Sequence, residues 1–213
     1  IRLYYMKNTI LFLLLVLFSL ELYGKNKHIQ YQKPQLLDSR HGLSNTKVND
    51  IVQDKEGYIW IATDNGLNKY DGYKFVVYKK EDKKRGSLIN NYITSLYYDS
   101  QNRLWVGTMN GLQYYDRDYD CFTTVTLGQF NSVAYKSYNY IMEDSQKNLW
   151  LSIHDVGVVK YSLKTKEFNL YTSLGNGGDL CSSSIRHIME DKEGHIWMSS
   201  FDKGITVYNP KNG

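Results

Sequence analysis

The sequence contains 213 residues, of which 42% are apolar and 20 are tyrosines, and its formal net charge is +4. So small a charge, scattered along the chain, argues against a surface for nucleic acid. The presence of only 2 prolines beside the many tyrosines is typical of an ordered, β-rich protein and argues against a disordered one.

The first 24 residues have the layout of an export signal. The chain begins with Ile rather than Met, so we expect translation to start at Met6, with upstream read-through before it. Lys7, the apolar run Ile10–Leu20 and the small residue Gly24 then follow the order of a secretory signal peptide. The run is shorter than the roughly 20 apolar residues of a membrane span. We therefore expect cleavage after Gly24, with an uncleaved anchor as the alternative.

Residues 25–44 form a turn-rich lead-in. Within it, residues 29–38 could supply a strand that pairs with the last sheet of a ring and so leaves no exposed edge.

Four similar units follow the lead-in: Asp54–Asp71, Asp99–Asp116, Asp144–Ser162 and Asp191–Asn209. In each unit a Trp lies six residues after the leading Asp, and a Gly then opens a segment that ends in Tyr. The tryptophans are separated by 45, 45 and 47 residues. A period of this size, built from short strand-like segments, predicts an all-β propeller.

Each unit divides into four predicted antiparallel strands: one before the leading Asp, one around the Trp, one from the Gly to the Tyr, and an outer one that begins near a Phe. A propeller domain at 45–213 would hold blades at 45–79, 90–126, 137–172 and 184–213. The fourth unit reaches Gly213 before its outer Phe, so we predict a partial ring truncated within that blade. A complete four-bladed ring closed by residues 29–38 is the alternative.

Two local patterns accompany these strands. A positive φ is expected in the turn after each leading Asp, at Gly57, Asn102 and Gly194, whereas the third unit has Lys147 at this position. Small residues stand two places after each Trp and would let the next sheet approach: Ala62, Gly107, Ser152 and Ser199.

The motifs resemble a known family. The matching stretches are His41-Gly42-Leu43-Ser44, Gly57-Tyr58-Ile59-Trp60-Ile61-Ala62-Thr63 with Gly66-Leu67-Asn68-Lys69-Tyr70-Asp71-Gly72, and Leu104-Trp105-Val106-Gly107-Thr108 with Gly111-Leu112. They are similar to the two-component regulator propeller repeats in the extracytoplasmic sensor region of hybrid histidine kinases of gut Bacteroidetes. The likeness covers about residues 38–213.

The resemblance implies a function and its setting. Members continue into further blades, a small β-sandwich, a membrane helix, a kinase core and usually a DNA-binding domain. This chain would be an N-terminal, non-catalytic sensor segment on the periplasmic side of the inner membrane, attached to the membrane only through later parts. Its expected partners are an oligosaccharide derived from a glycan and a second receptor copy, without a cofactor or nucleic acid. The chain departs from the family at His41, Ile153-His154 and Ser200-Phe201.

Most residues that suggest chemistry have structural interpretations. The tryptophans could stack on sugars, but their fixed place between aliphatic residues predicts a repeat core of Trp60, Trp105, Trp150 and Trp197. The leading aspartates, with Glu143 and Glu190 beside two of them, could suggest paired catalytic carboxylates. Because an aspartate recurs at the same turn in every unit, we predict that it accepts hydrogen bonds from turn amides.

The remaining candidates are weaker. The five histidines lack metal-binding spacing, so no metal site is predicted. Gly175-Asn176-Gly177-Gly178 is interpreted as a connector, because no strand-to-helix context for a phosphate loop surrounds it. Cys121 is expected on an outer strand and Cys181 in a loop two blades later, which disfavours a disulfide between them.

A binding face is predicted where the loops between second and third strands meet those between fourth and first strands. It would gather amides, carboxylates and aromatic rings, which hold sugars by hydrogen bonding and stacking. The candidates are Asp64, Asn65, Asn90, Asn91, Tyr92, Met109, Asn110, Tyr138, Asn139, His154, Asp155, Phe201 and Asp202. Two other functions remain open: a periplasmic propeller lyase or glycosidase, and a protein-interaction scaffold without a small-molecule ligand.

Overall fold

The computed structural model describes residues 33–127, 136–173 and 179–211. The chain divides into two units, Ile1–Leu36 and Leu37–Gly213, and all the strands of the described residues belong to the second. The predicted signal peptide and the glycine-rich connector lie outside the described residues. Residues 33–38 form no strand, and the rest of the predicted closing strand lies outside the described residues. Pro34 has no backbone N–H to give to a ladder, and Asp38 instead caps a single 3-10 turn at Ser39–His41.

The predicted all-β propeller of four blades is confirmed, and in each sheet the strands are neighbours in sequence order. The first blade contains β1 (Val48–Gln53), β2 (Ile59–Thr63), β3 (Gly66–Tyr70) and β4 (Phe75–Tyr78). The second contains β5 (Ile93–Tyr98), β6 (Leu104–Thr108), β7 (Gly111–Asp116) and β8 (Cys121–Thr124). The third contains β9 (Tyr138–Glu143), β10 (Asn148–Ile153), β11 (Gly157–Ser162) and β12 (Phe168–Tyr171). The fourth contains β13 (Ile185–Glu190), β14 (Ile196–Ser200) and β15 (Ile205–Tyr208).

The blades are stacked side by side, and the innermost strands β1, β5, β9 and β13 are neighbours in that order. A separate apolar core fills each of the three junctions between consecutive blades. The tryptophan of one blade packs in each case against the next blade: Trp60 on Tyr115, Trp105 on Tyr161 and Trp150 on Tyr208. Burial of an aromatic side chain stabilises the fold by roughly 1.5–3 kcal/mol, so these junctions hold much of the stability.

Each leading aspartate fixes both its turn and its tryptophan. In the first blade, Asp54 Oδ1 accepts the backbone N–H groups of Glu56 (3.1 Å) and Tyr58 (3.0 Å). Its Oδ2 accepts the indole N–H of Trp60 at 2.8 Å. The same three bonds recur around Asp99, Asp144 and Asp191. The predicted structural role of these acids is confirmed, and the indole is a partner that the sequence did not reveal.

Trp197 corrects the prediction that all four tryptophans are buried core. Trp60, Trp105 and Trp150 are at most 2% exposed, whereas Trp197 is 39% exposed. Trp197 keeps the bond to Asp191, but within the described residues no further blade packs on its face. The repeat therefore sets the position of the indole, and a neighbouring blade sets its burial.

The turns after the leading aspartates confirm the expected conformation. Gly57, Asn102 and Gly194 have φ angles of 91°, 64° and 84°. Lys147 also has a positive φ, 68°, although its type is unfavourable there. The Asp144 carboxylate, which holds this turn, accepts both the backbone and side-chain N–H groups of Asn148.

Glu143 and Glu190 join neighbouring blades. Glu143 Oε2 accepts the backbone N–H of Ser100 at 2.7 Å and Oε1 accepts the Ser100 hydroxyl at 2.5 Å. Glu190 holds Ser145 of the preceding blade in the same way, at 2.7 and 2.6 Å. These carboxylates are thus structural links rather than an acid–base pair.

Replacement of Asp144 by Ala should lower the free energy of unfolding by about 2–4 kcal/mol, because three turn and side-chain N–H groups and a buried indole lose their acceptor. Chemical unfolding followed by tryptophan fluorescence measures the change. Asp118→Ala removes an exposed aspartate and should shift the value by no more than about 0.5 kcal/mol. Equal midpoints for the two variants would contradict this role of Asp144.

Replacement of Gly107 by Ala should cost about 1–3 kcal/mol through overpacking. A Cβ at Gly107 would lie 2.9 Å from the backbone carbonyl oxygen of Tyr138 in the next blade and would overlap Ser95 Oγ. Thermal unfolding tests the prediction. Ser199→Ala alters the same repeat position in the fourth blade and should be nearly neutral, so a large loss in that control would show that the position matters for another reason.

Candidate functional site

The two predicted sets of loops do meet at one end of every blade. The residue after each second strand donates its backbone N–H to the carbonyl of the residue before the first strand of the same blade. The four bonds are Asp64 to Lys47 (3.3 Å), Met109 to Tyr92 (3.1 Å), His154 to Ser137 (2.9 Å) and Phe201 to Ser184 (2.9 Å). The leading aspartates lie at the opposite end of the sheets, in the turns between first and second strands.

A β-bulge at this end recurs in all four blades. The pairing of the first and second strands skips one residue of the first strand, which has no opposite partner. The skipped residues are Asn49, Thr94, Asn139 and Arg186. Bulges of this kind redirect a side chain away from the regular pleat and are frequent beside binding sites.

In the first two junctions the bulge residue bridges to the next blade. Asn49 Nδ2 donates to the carbonyl of Ile93 at 2.8 Å, and Thr94 Oγ1 donates to that of Tyr138 at 2.6 Å. In the third junction Ser152 Oγ donates to the corresponding carbonyl, that of Ile185, at 2.6 Å. Asn139 is not used for this bridge, and its Oδ1 accepts from Ser137 Oγ at 3.2 Å.

A cavity of about 420 Å³ opens at the third junction beside Asn139, which does not make that bridge. It is lined by Asn139 and His154 of the third blade and by Ser184, Ile185, Arg186 and Phe201 of the fourth. Its volume is within the range of about 300–1,000 Å³ that is usual for small-molecule sites. Three residues of the predicted face, Asn139, His154 and Phe201, are thus brought together.

The fourth-blade side of the cavity combines a cation and an aromatic ring. The Arg186 guanidinium lies over the Phe201 ring, with its carbon 5.3 Å from the ring centre, and Phe201 is 73% exposed. A guanidinium placed over an aromatic ring is attracted to it electrostatically. The described residues place no carboxylate within ion-pair distance of Arg186.

The third-blade side is polar. His154 Nε2 lies 3.4 Å from Asp155 Oδ2, and the Ser184 hydroxyl donates to Asp155 Oδ1 at 3.3 Å. Asp155 adopts a φ of 56° and does not line the cavity itself. It therefore positions His154 and Ser184 at the rim.

The predicted residues of the first junction are paired within the protein. Lys47 Nζ lies 2.8 Å from Asp64 Oδ2 and donates to the Tyr92 hydroxyl at 3.2 Å. The hydrogen bond from Lys47 lowers the pKa of Asp64 below its ordinary value. Asp64 and Tyr92 thus form a closed polar network.

Other predicted residues serve the loops. Asn90 Oδ1 accepts the backbone N–H of Tyr92 at 2.8 Å, and Asn91 Oδ1 accepts that of Lys80 at 2.7 Å. Asp202 Oδ1 accepts the Ser182 hydroxyl at 2.7 Å. Asn65, Asn110 and the 48% exposed Met109 lie in the loops after β2 and β6, outside the cavity lining.

Tyr138 is a correction. It is 0% exposed and belongs to the core between the second and third blades, so it cannot reach a ligand on the loop face. It occupies the first-strand position of Val48, Ile93 and Ile185, and the bulge turns the following residue, Asn139, to the other side. The sequence does not show the bulge, so it could not tell that Tyr138 is buried whereas Asn139 lines the cavity.

Arg186 and Ser184 were missed by the sequence analysis. Arg186 has the same place in its unit as Asn139, one residue after the first apolar residue of the innermost strand, and this equivalence is a signal that could have identified it. Ser184 directly precedes β13 and gave no comparable signal.

One group of potential metal ligands lies at the opposite end of the fourth blade. Side-chain ligand atoms of Asp191, Glu193 and His195 lie within 4.8 Å of one another. The indole N–H of Trp197 is the main cause that lowers the pKa of Asp191 to about 2. Since Asp191 makes the bonds of the equivalent aspartates in the other blades, the group is interpreted as the repeat turn with a histidine beside it.

Burial raises the pKa of the Asp50 carboxyl group on β1. Its Oδ2 accepts the backbone N–H of Leu96 at 2.7 Å, which links the first two blades. Asp50 does not belong to the cavity lining, where the described residues include no Asp or Glu. In the same described ranges, no helix has the length and apolar character needed to cross a membrane.

Comparison with known proteins identifies the repeats. The sequence model of the family described as two component regulator propeller matches residues 42–65, 87–110 and 179–202. Each match covers the loop before a blade and its first two strands, in blades one, two and four. Residues 42–65 include the His-Gly-Leu-Ser motif from Gly42 onward. In this motif Leu43 is buried, and Ser44 Oγ accepts a hydrogen bond from Asn68 Nδ2.

A relative and two solved structures are similar to this chain. The chain is 45% identical over 47 residues to Histidine kinase P4 of Formosa agariphila, an alignment that covers 22% of this chain and 3% of that protein. The extracellular domain of the putative one component system BT4673 from B. thetaiotaomicron has a TM-score of 0.71 at 23% identity, over 85% of this chain and 26% of that one. A structure described as the extracellular domain of the putative hybrid two component system BT4673 gives 0.67 at 24% identity, over 84% and 23%.

These likenesses to solved structures show a shared fold, and the chain spans about a quarter of their length. The spacing of the repeats, the aspartate-held tryptophans and the three matched segments lead to one conclusion: blades one, two and four of this chain contain repeats of the two component regulator propeller type.

Proposed function

We propose that this chain is a ligand-sensing segment of an exported hybrid two-component receptor, and that its ligand is an oligosaccharide derived from a glycan. The family match and the histidine kinase relative support the receptor class. The single observation that carries the ligand proposal is the cavity between the third and fourth blades, with its exposed ring, amide and hydroxyl groups.

The position of the cavity suggests how binding could be transmitted. Its lining comes from both sides of one junction, so a bound sugar would add contacts between two blades that elsewhere join through a bulge side chain. A ligand shifts a conformational equilibrium only by its difference in affinity for the two states. In the proposed receptor the two states are arrangements of a dimer, and the ligand favours the arrangement in which this junction is closed.

Two alternatives differ in what they require. A lyase or glycosidase needs convergent acidic groups, and the cavity lining in the described residues supplies His154 but no carboxylate. A protein-interaction scaffold needs no small-molecule site. Incubation of the purified chain with polysaccharides distinguishes these possibilities, because turnover would favour the enzyme.

Replacement of Phe201 by Ala should weaken binding of an oligosaccharide by about three- to tenfold, because a stacked aromatic ring contributes roughly 0.5–1.5 kcal/mol beyond its buried area. Calorimetry with a panel of oligosaccharides from plant and host glycans measures the change. Tyr73→Ala removes a 95% exposed ring from the turn between β3 and β4 and should leave binding unchanged. Absence of binding by every member of the panel would contradict the proposal and favour the scaffold.

A further inference from the structure

We infer that the cavity between the third and fourth blades selects an acidic sugar, and that Arg186 is the residue that binds its carboxylate or sulfate group. The inference rests on the proposed function, since it specifies the ligand class of the same site.

The first argument is the charge of the cavity. Among the described residues, Arg186 is the only fully charged side chain of the lining, and neither Asp nor Glu belongs to it. The nearby carboxylate, Asp155, already accepts the Ser184 hydroxyl and lies beside His154. Across the described residues, Arg186 forms no ion pair within the protein, in contrast to Arg40, Arg103 and Arg117.

The second argument is the way Arg186 is held. A flexible surface arginine loses conformational entropy when it binds, but the Phe201 ring already restrains this guanidinium at 5.3 Å. The planar N–H fork of a guanidinium matches the two oxygens of a carboxylate or sulfate. A preorganised cation costs less to bind than a mobile one.

The third argument is the comparison among equivalent positions. The bulge residues Asn49 and Thr94 donate to backbone carbonyls of the next blade and so have structural roles. Arg186 stands at the same position of the fourth blade, beside which the described residues place no further blade, and it contacts the Phe201 ring. Asn139, on the other side of the cavity, retains amide N–H groups that can donate to sugar hydroxyls.

The experiment titrates the full chain with three matched trisaccharides: α-1,4-linked trigalacturonate, the neutral α-1,4-galactotriose, and that trimer sulfated at O6. We expect an acidic trimer to bind at least tenfold more tightly than the neutral one. Preference for trigalacturonate identifies a carboxylate as the recognised group, and preference for the third sugar identifies a sulfate.

Matched variants assign the effect to Arg186. Arg186→Gln should raise the dissociation constant of the acidic trimer about tenfold or more and leave that of the neutral trimer nearly unchanged. Arg186→Lys keeps the charge but not the planar fork, so its dissociation constant for the acidic trimer should lie between those of the unchanged chain and of Arg186→Gln. Arg85→Gln removes an equal charge from an exposed residue beside Tyr119 and Thr123, outside the cavity, and should change binding less than twofold.

The outcomes separate the inference from the function on which it rests. Equal binding of neutral and acidic trimers, or equal losses in Arg186→Gln and Arg85→Gln, would overturn the acidic-sugar inference and leave oligosaccharide sensing in place. Circular dichroism of each variant shows whether the fold is intact. If none of the three sugars binds the intact chain, and no oligosaccharide of the wider panel binds it either, both the acidic-sugar inference and the proposed function are overturned.

Discussion

The hydrogen bond from each tryptophan to the aspartate six residues before it is the interaction on which the rest of the structure depends. One carboxylate oxygen organises the turn between two strands, and the other holds the indole against the next blade. A single aspartate side chain thus fixes both the geometry of its turn and the packing of the tryptophan against the next blade. A buried indole N–H without an acceptor would be costly, so the aspartate is required wherever the tryptophan is enclosed.

The aspartate turns at one end of the sheets are the same in all four blades, whereas the side chains at the loop end differ from blade to blade. All four blades share the bulge and the loop bond beside it, but their side chains differ. In the first junction they form a network around Lys47, and in the second Thr94 bridges to the next blade. In the third junction neither arrangement is present and a cavity remains. The proposed binding site therefore lies at the junction where the bulge residue, Asn139, makes no link to the next blade.

A site at a junction differs from one within a blade in its mechanical consequences. Each blade is a continuous hydrogen-bonded sheet, whereas blades join mainly through side-chain packing. A ligand that contacts both Asn139 and Arg186 would act on the side-chain packing between blades, which deforms more easily than a hydrogen-bonded sheet. This placement suits a sensor, in which binding energy must appear as a change in arrangement rather than as stabilisation of one rigid element.

Much of the fold was predictable because its causes are local in the chain. The period, the spacing from Asp to Trp and the turn residues predicted the blades and strands, even at Lys147, where the residue type is unfavourable. The candidate site was predicted only in part. Asn139, His154 and Phe201 line the cavity, but Tyr138 is buried and Arg186 and Ser184 were missed.

By itself, the sequence determined the repeat, the positions of the strands and the end of each sheet that carries the variable loops. Only the tertiary structure decided which of the equivalent side chains are used. Whether a bulge residue bridges to a carbonyl of the next blade, as Asn49 does, or bonds within its own blade, as Asn139 does, depends on contacts between different blades. The burial of Trp150 and the exposure of Trp197 differ for the same reason, because the neighbour that covers an indole belongs to another sheet.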